Sequence, residues 1–220
     1  MVIAIDGPGG VGKSTVTRRL ATVLGVDFLD TGATYRAATV AALRGNADLN
    51  EEAEVLAAVT SREIAYEDGV ILLDGESIVA ESRSDAVTKA VSAVSAFPSV
   101  REHVVAIQRL WVERRGGAAV VEGRDIGTVV FPDAPVKVFL TASAEVRAQR
   151  RAGDAEAARL EVSDIVADLN RRDHLDSTRK TSPLRPADDA IEVDTSGLGI
   201  EEVVAAILEL TVDPLNTKQV

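Results

Sequence analysis

A glycine-rich stretch near the start of the chain, GPGGVGKST at residues 7–15, constrains the fold more than any other feature. It follows an apolar run at residues 2–5 and precedes a helical pattern at 13–24, so the local order is strand, loop, helix. The spelling matches G-x-x-x-x-G-K-[ST], in which glycines let successive backbone N–H groups point at phosphate oxygens. Lys13 is expected to reach the β and γ phosphates of a nucleotide, and the Ser14 hydroxyl to bind Mg²⁺. The predicted phosphate-binding loop is Gly7, Pro8, Gly9, Gly10, Val11, Gly12, Lys13, Ser14 and Thr15.

Short apolar runs rich in β-branched residues recur along the chain and are typical of buried parallel strands. Helical patterns separate most of them, and this alternation indicates an α/β layered fold with a parallel sheet. Ligands in such folds bind at the carboxyl ends of the strands, where each run here gives way to polar residues. The predicted strands are residues 2–5, 26–29, 118–121, 136–140 and 190–193. The predicted helices are residues 13–24, 33–44, 51–59, 84–95, 100–115, 144–151, 162–172 and 200–210.

Residues 62–80 interrupt the α/β rhythm. Three short runs at 62–66, 70–73 and 77–79 are separated by turn sequences, a pattern typical of antiparallel hairpins. The segment is either a functional insert or an edge meander without a ligand. The small, polar residues 152–160 lie between arginine-rich segments and are predicted to form a mobile lid, and the tail at 214–220 is predicted to fray.

The composition narrows the possible classes of function. A net charge of −11 argues against a nucleic-acid polymer as partner, because such a partner requires a basic face. The chain has no Cys, which excludes disulfides, thiolate metal sites and a thiol nucleophile. No run reaches membrane-spanning length, and the short apolar start enters the phosphate loop instead of forming a signal peptide. We therefore expect a cytoplasmic monomer that binds neither a membrane nor a nucleic-acid polymer.

Polar residues after the second and third predicted strands are candidates for the site. Asp30 or Thr31 could simply cap the next helix, but Arg36 lies one turn into that helix and could face the phosphate loop. Glu122 stands where P-loop proteins place an acid that orients Mg²⁺, usually through water. The structural alternative for residues 122–128 is a turn that contains an Arg–Asp pair.

Arginines are concentrated late in the chain. Arg147 and Arg151 are one helical turn apart and share a face of their helix. Further arginines follow at 171, 172, 179 and 185, with Asp173 and Asp176 among them. Such a run is either a solvated helix face or an arginine clamp on a transferring phosphoryl group.

Taken together, the sequence resembles the bacterial cytidylate kinases over nearly the whole chain. The resemblance rests on five motifs in order along the chain. They are AIDGPGGVGKST at 4–15, LDTGATYR at 29–36, AFPSVR at 96–101, GRDIGTVVFP at 123–132, and the late Arg172-Asp173, Arg179 and Ser182-Pro183-Leu184. Five ordered motifs are more specific than a phosphate loop alone.

This resemblance implies a three-layer nucleoside-monophosphate kinase fold with a five-stranded parallel sheet, a three-stranded antiparallel insert and a helical lid. The implied P-loop core comprises residues 1–60, 96–145 and 171–220, the CMP-binding insert residues 61–95, and the lid residues 146–170. The implied activity is phosphorylation of CMP and dCMP to CDP and dCDP by direct transfer from ATP, with Mg²⁺ bound to the ATP.

The resemblance also implies roles for individual residues. It makes Lys13, Arg147 and Arg151 catalytic, with the last two on the lid. It assigns the cytosine to Thr31, Arg101, Asp125 and Arg179, the sugar to Ser92, Arg172 and Asp176, and the CMP phosphate to Arg36 and Arg124. The metal would contact Ser14 and, through water, Glu122. The family often has Ser at position 31 and Asp at position 122; Thr31 keeps the hydroxyl, and Glu122 keeps the charge on a longer side chain.

Phosphoryl transfer to a nucleotide needs no general base, because the second pKa of the acceptor phosphate is about 6. This agrees with a chain whose histidines, His103 and His174, have no catalytic-looking neighbours. A kinase of a small hydroxyl metabolite, of the shikimate type, remains an alternative, although it would require a base and gives no reason for the insert. A GTPase-like switch is a second alternative, but the chain has no N-K-x-D guanine motif.

Overall fold

The structure is a computed structural model that describes residues 1–153 and 162–212. The chain forms two compact units, one made of Met1–Phe28 and Gly117–Val220 and the other of Leu29–Gly116. We call them the phosphate-loop unit and the inserted unit. Most of the predicted lid segment at 152–160 and the whole predicted tail at 214–220 lie outside the described residues.

The strands form one parallel and one antiparallel sheet, as the sequence predicted. The parallel sheet has the order β2-β6-β1-β7-β8, so the strand that leads into the phosphate loop lies at its centre. The antiparallel sheet has the order β3-β4-β5. The parallel strands are β1 (Val2–Asp6), β2 (Asp27–Asp30), β6 (Ala119–Gly123), β7 (Val136–Thr141) and β8 (Ile191–Asp194), and the antiparallel strands are β3 (Ile64–Glu67), β4 (Val70–Leu73) and β5 (Glu76–Ser77).

The helices begin where capping chemistry permits. Asp30 accepts the backbone N–H of Ala33 at the start of the second helix, and Pro98 occupies the first turn of the sixth. No helix in the described part of the chain is long and apolar enough to cross a membrane. The helices are α1 (Lys13–Leu24), α2 (Thr31–Arg44), α3 (Glu52–Thr60), α4 (Val79–Ser82), α5 (Asp85–Val94), α6 (Pro98–Glu113), α7 (Ala144–Ala152), α8 (Val162–Thr178) and α9 (Ile200–Val212), with a π-helical turn at Ile126–Val130.

Two local predictions need correction, and one element was not predicted. The run at 77–79 is not a full third strand, because β5 ends at Ser77 and α4 begins at Val79. The reason is that the carbonyl of Ile78 accepts the N–H of Ser82 and so starts a helical turn. Helix α8 continues to Thr178 instead of ending at residue 172, since its charged run contains no helix breaker. The π-helical turn was not predicted.

The core of the phosphate-loop unit joins α1 and α9 to the central strands. Ile3 and Ile5 of β1 are buried with Leu20 of α1 and Ile207 of α9. Burying such side chains stabilises the unit by about 1.5–3 kcal/mol each. Helix α1 is thereby held by its apolar face, which fixes the position of the loop that precedes it.

In the inserted unit, α6 packs on the antiparallel sheet. Trp111 is buried, its indole N–H donates to the carbonyl of Tyr66 in β3, and the two rings meet edge to face with centroids 6.1 Å apart. The Arg115 guanidinium lies over the indole, 3.9 Å from its centroid. These contacts make Trp111 a packing residue of the inserted unit.

Candidate active site

The phosphate loop requires glycine at positions where other chain segments approach closely. Gly7 has φ 146°, and a Cβ there would lie 2.3 Å from the carbonyl oxygen of Leu140 in β7. Gly10 has φ 80°, and its Cβ would lie 2.9 Å from the carbonyl oxygen of Arg147 in α7. Both conformations are ones that L side chains rarely adopt. The glycines therefore let β7 and α7 close against the loop.

Lys13 is buried at the first position of α1, with its ammonium turned back into the loop. Its Nζ donates to the carbonyls of Gly7, at 2.9 Å, and Pro8, at 2.7 Å. The pKa of Lys13 is lowered to about 7, mainly by burial and then by the neighbouring Arg124 cation, while carboxylates including Glu122 oppose the shift. An incoming phosphate would add negative charge and favour the ammonium form.

Asp6 ends β1 and ties it to the turn that follows β6. Its two carboxylate oxygens accept the backbone N–H groups of Ile126 and Gly127, each at 2.8 Å. Burial raises the pKa of Asp6 to about 6, although these two hydrogen bonds favour the charged form. Asp6 thus links the phosphate loop to the turn that begins after Asp125. The motif at residues 4–15 contains Asp6, but the sequence assigned roles only to the residues that follow it.

A cavity of about 450 Å³ opens beside the loop. One wall is the start of α1, which includes the exposed Ser14 and Thr15. The lining also includes two arginines of α7 and apolar side chains near the start of α9. The lining residues are Gly10, Val11, Gly12, Lys13, Ser14, Thr15, Val16, Arg150, Arg151, Thr195, Leu198, Ile200 and Val203. The cavity is large enough for a nucleoside next to a phosphate-binding loop.

The arginines of α7 contact the loop at different points. Arg147 donates from Nε to the carbonyl of Gly9 at 2.6 Å, while Arg151 lines the cavity. Arg150 donates to the carbonyl of Val11 at 3.2 Å and to the hydroxyl and carbonyl of Thr195 at 2.8 and 2.7 Å. Sequence reasoning named Arg147 and Arg151 but missed Arg150, although it belongs to the same arginine run. Thr195 was visible only as a polar residue after the last strand.

Helix α8 contributes a carboxylate to the loop. The N–H of Gly9 donates to Oδ1 of Asp173 at 3.2 Å, and Asp173 also pairs with the Arg147 guanidinium. The sequence placed Asp173 within a motif but gave it no role. Asp173 lies 164 residues after Gly9 in the sequence, so no local sequence pattern predicts this contact.

Four of the predicted acceptor-binding residues form one ion network in the phosphate-loop unit. Arg124 donates to Asp176 at 3.0 Å. Arg179 lies 3.7 Å from Asp125 and 3.7 Å from Asp176. The side chains of Arg179 and Asp125 are only 8% and 5% exposed, so their charges are weakly screened. Arg172 lies on α8, as Asp176 does, and is half-buried.

The remaining predicted acceptor residues belong to the inserted unit. Thr31 is buried in the first turn of α2, and Ser92 is half-buried on α5. Arg36 donates to the carbonyl of Ser82 at 2.8 Å and to the hydroxyl of Thr88 at 3.2 Å.

Arg101 is a buried cation on α6 of the same unit. It donates to the carbonyl of Ser95 at 3.1 Å, and its guanidinium lies over the ring of Tyr35, 4.9 Å from the centroid. Two turns further on, Gln108 is fully buried and donates to the Thr34 hydroxyl at 2.9 Å. These contacts form a polar seam between α2 and α6 that the sequence did not reveal.

The oxygen groups near the loop suit a magnesium ion that is carried mainly by phosphates. Ser14 offers an exposed hydroxyl at the start of α1, and Glu122 is a buried carboxylate at the end of β6. Hard oxygen ligands are those that Mg²⁺ prefers. Among residues 1–153 and 162–212, no three acidic or histidine side chains are grouped so as to hold a metal by themselves. The donor set thus fits Mg²⁺ that arrives with a nucleotide.

Comparison with known proteins identifies the family to which the chain belongs. The family described as cytidylate kinase matches residues 3–213. The cytidylate kinase of Rhodococcus jostii is 54% identical over 219 residues, covering 94% of this chain and 93% of that protein. The cytidylate kinase of Mycobacterium leprae is 50% identical and covers 96% of this chain and 95% of that protein.

A solved structure shares the fold. An uncharacterized protein from Eubacterium ventriosum has a TM-score of 0.53 at 11% identity, covering 97% of this chain and 98% of that one. At this identity the likeness concerns the fold alone.

The pKa of Asp6 predicts a specific pH dependence of stability. Because the pKa is raised from 3.8 to about 6, the folded state binds this proton more tightly than the unfolded state. The contribution of Asp6 to stability therefore falls as pH rises through that window, by about 3 kcal/mol in total. The side chain at position 6 does not titrate in the Asp6→Asn variant. The free energy of unfolding of this variant minus that of wild type should therefore rise by about 3 kcal/mol from about pH 4 to about pH 7. Urea unfolding of both proteins measures the difference, and a gap independent of pH would contradict the prediction.

Proposed function

Because the chain belongs to the cytidylate kinase family, we propose that it transfers the γ-phosphoryl group of ATP to CMP and dCMP, giving CDP and dCDP. The observation that carries this proposal is the buried Lys13 ammonium in a phosphate loop beside the Arg124, Asp125, Asp176 and Arg179 network. The acceptor phosphate is mostly ionised at neutral pH, so catalysis requires positioning and charge stabilisation and no general base.

The donor ATP would occupy the loop and its adjoining cavity. Backbone N–H groups at the start of α1 would hold the phosphates, with the positive end of the helix dipole behind them. Lys13 would neutralise the β and γ phosphates. The nucleoside would lie between the α7 arginines and the apolar side chains of Leu198 and Ile200, which remain partly exposed in the cavity wall.

Magnesium would be bound together with ATP. Ser14 would supply a hydroxyl ligand, and Glu122 would hold a water of the metal. When bound, Mg²⁺ neutralises charge on the donor phosphates. The chain's own part is to present these two oxygen groups at the loop, where the Glu122 carboxylate also favours the ammonium form of Lys13.

The α7 arginines would stabilise the transferring group. Arg147 already lies against the loop at Gly9, and Arg151 lies in the wall of the donor cavity. A guanidinium placed where negative charge develops is worth far more in a water-excluded site than in solvent. We assign both residues to the lid.

The acceptor would be recognised by complementary hydrogen bonds. The exocyclic amine of cytosine could donate a hydrogen bond to the Asp125 carboxylate, and its acceptor atoms could receive hydrogen bonds from arginines. In the phosphate-loop unit we assign the base to Asp125 and Arg179, the phosphate to Arg124, and the sugar to Arg172 and Asp176. In the inserted unit we assign the base to Thr31 and Arg101, the phosphate to Arg36, and the sugar to Ser92.

Kinases of small hydroxyl metabolites are not favoured, since the family match covers residues 3–213. We keep a cytoplasmic, monomeric enzyme as our expectation.

An ADP-release assay across nucleoside monophosphates and small alcohols tests the function. We expect CMP and dCMP to give the highest kcat/KM, with UMP lower because its base presents an acceptor opposite Asp125. Activity with a small alcohol and none with CMP would contradict the assignment.

Lys13→Ala should lower kcat by at least about 100-fold, because it removes charge stabilisation of the transferring phosphoryl group. CMP binding, measured by calorimetry, should remain detectable. Lys89→Ala is the control, since Lys89 is an exposed lysine on α5. A Lys13→Ala variant with a rate near wild type would rule out the assigned role.

Asp125→Ala should reduce the preference for CMP over UMP by about 10- to 100-fold in kcat/KM, because the amine of cytosine loses a charged acceptor. Asp133→Ala, which alters an exposed carboxylate, should leave the ratio unchanged. Equal losses for CMP and UMP in Asp125→Ala would mean that this residue does not read the base.

A further inference from the structure

Both backbone groups of Gly9 are held by side chains from distant helices. The N–H donates to Oδ1 of Asp173 on α8, and the carbonyl accepts from Nε of Arg147 on α7. Asp173 and Arg147 also pair with each other. We call these three residues the Gly9 clamp. It puts a carboxylate on a loop whose N–H groups are built to bind anions.

The clamp is enclosed by neighbouring side chains. A Cβ at Gly9 would lie 3.0 Å from Cδ2 of Leu169 and 3.8 Å from the Arg124 guanidinium. Leu169 is buried and forms a small apolar cluster with Ile165 on α8. The side chains of Arg147 and Asp173 are only 11% and 18% exposed. The absence of a side chain at Gly9 therefore lets α8 approach the loop closely enough for this contact.

A carboxylate in this position resembles a phosphate in two respects. It is an anionic oxygen acceptor, and it accepts a loop N–H that faces the same region as the Arg124 and Arg147 guanidinium groups. A nucleotide phosphate that enters the loop would be repelled by the Asp173 carboxylate, which already binds the Gly9 N–H and the Arg147 guanidinium. Because the groups are largely buried, solvent and salt screen that repulsion only partly.

We propose that Asp173 is an internal competitor for the donor's phosphates and that it holds Arg147 in reserve. Binding of the donor displaces the carboxylate from Gly9, which breaks its ion pair with Arg147. The guanidinium then becomes available to the phosphoryl group. The inference rests on the proposed donor site, and it goes beyond the lid-arginine role by giving a carboxylate control over donor affinity.

An alternative role for Asp173 would be to position Arg147 and nothing more. Removal of the carboxylate would then lower kcat and leave donor affinity unchanged or weaker. The competitor role predicts the opposite sign for affinity, since the loop N–H and the guanidinium lose an anionic rival. Affinity measured without CMP therefore separates the two roles.

The experiment measures the affinity of the full chain for a non-hydrolysable ATP analogue with Mg²⁺, by calorimetry and without CMP. We expect Asp173→Ala to bind about tenfold more tightly than wild type, the equivalent of one hydrogen bond to a charged group. Asp173→Asn keeps the shape of the side chain and can still accept a hydrogen bond from the Gly9 N–H, so its gain in affinity should be smaller. This variant also serves as the test if Asp173→Ala folds poorly. Asp168→Asn, which alters a carboxylate on the same helix that pairs with Arg171 three residues further on, should match wild type.

The same measurement in an Arg147→Ala background completes a double-mutant cycle. The gain on removing Asp173 should persist there, because the carboxylate competes at Gly9 itself. Unchanged or weaker binding in both Asp173 variants, or a gain that vanishes without Arg147, would overturn the proposal. Failure of the CMP assignment would instead appear in the ADP-release assay and would leave these affinities as expected.

Discussion

The carboxylate of Asp6 is the interaction on which the arrangement of the phosphate-loop unit depends. It ends the central strand, directly precedes Gly7, and accepts two backbone N–H groups from the π-helical turn. The turn follows Arg124 and Asp125, so one side chain sets the distance between the phosphate loop and the predicted acceptor residues. The burial of that charge is unfavourable, as the raised pKa shows. Two well-aligned hydrogen bonds offset part of this cost.

Around this link the unit concentrates buried charges of both signs. Lys13, Arg124 and Arg179 lie close to carboxylates that balance them, and several members of the network are mostly removed from water. Networks of this kind add little to stability relative to an apolar core, but they specify geometry. They also respond strongly to an added charge, because the local screening is weak. A site that handles polyphosphates benefits from both properties.

Features governed by local sequence were predicted well. The parallel strands, the phosphate loop and most helix bounds follow from apolar runs, glycine placement and capping residues within a few positions of each other. The predictions failed where backbone pairing decided the outcome. The Ile78 carbonyl could have continued a ladder, but it starts α4, and no residue type at 77–79 signals that choice. The π-helical turn likewise depends on acceptance of its N–H groups by Asp6, over a hundred residues earlier.

The sequence by itself determined the phosphate loop, the alternation of strands and helices, and the resemblance to the cytidylate kinases, because these are written in contiguous motifs. Only the tertiary structure decided which arginine meets which partner. Arg150 rather than Arg151 braces Val11, and Asp173 reaches Gly9 across 164 positions of the chain. Long charged side chains can reach several groups of opposite charge. Their pairing is therefore settled by the order of the strands and the packing of α7 and α8, which no local pattern encodes.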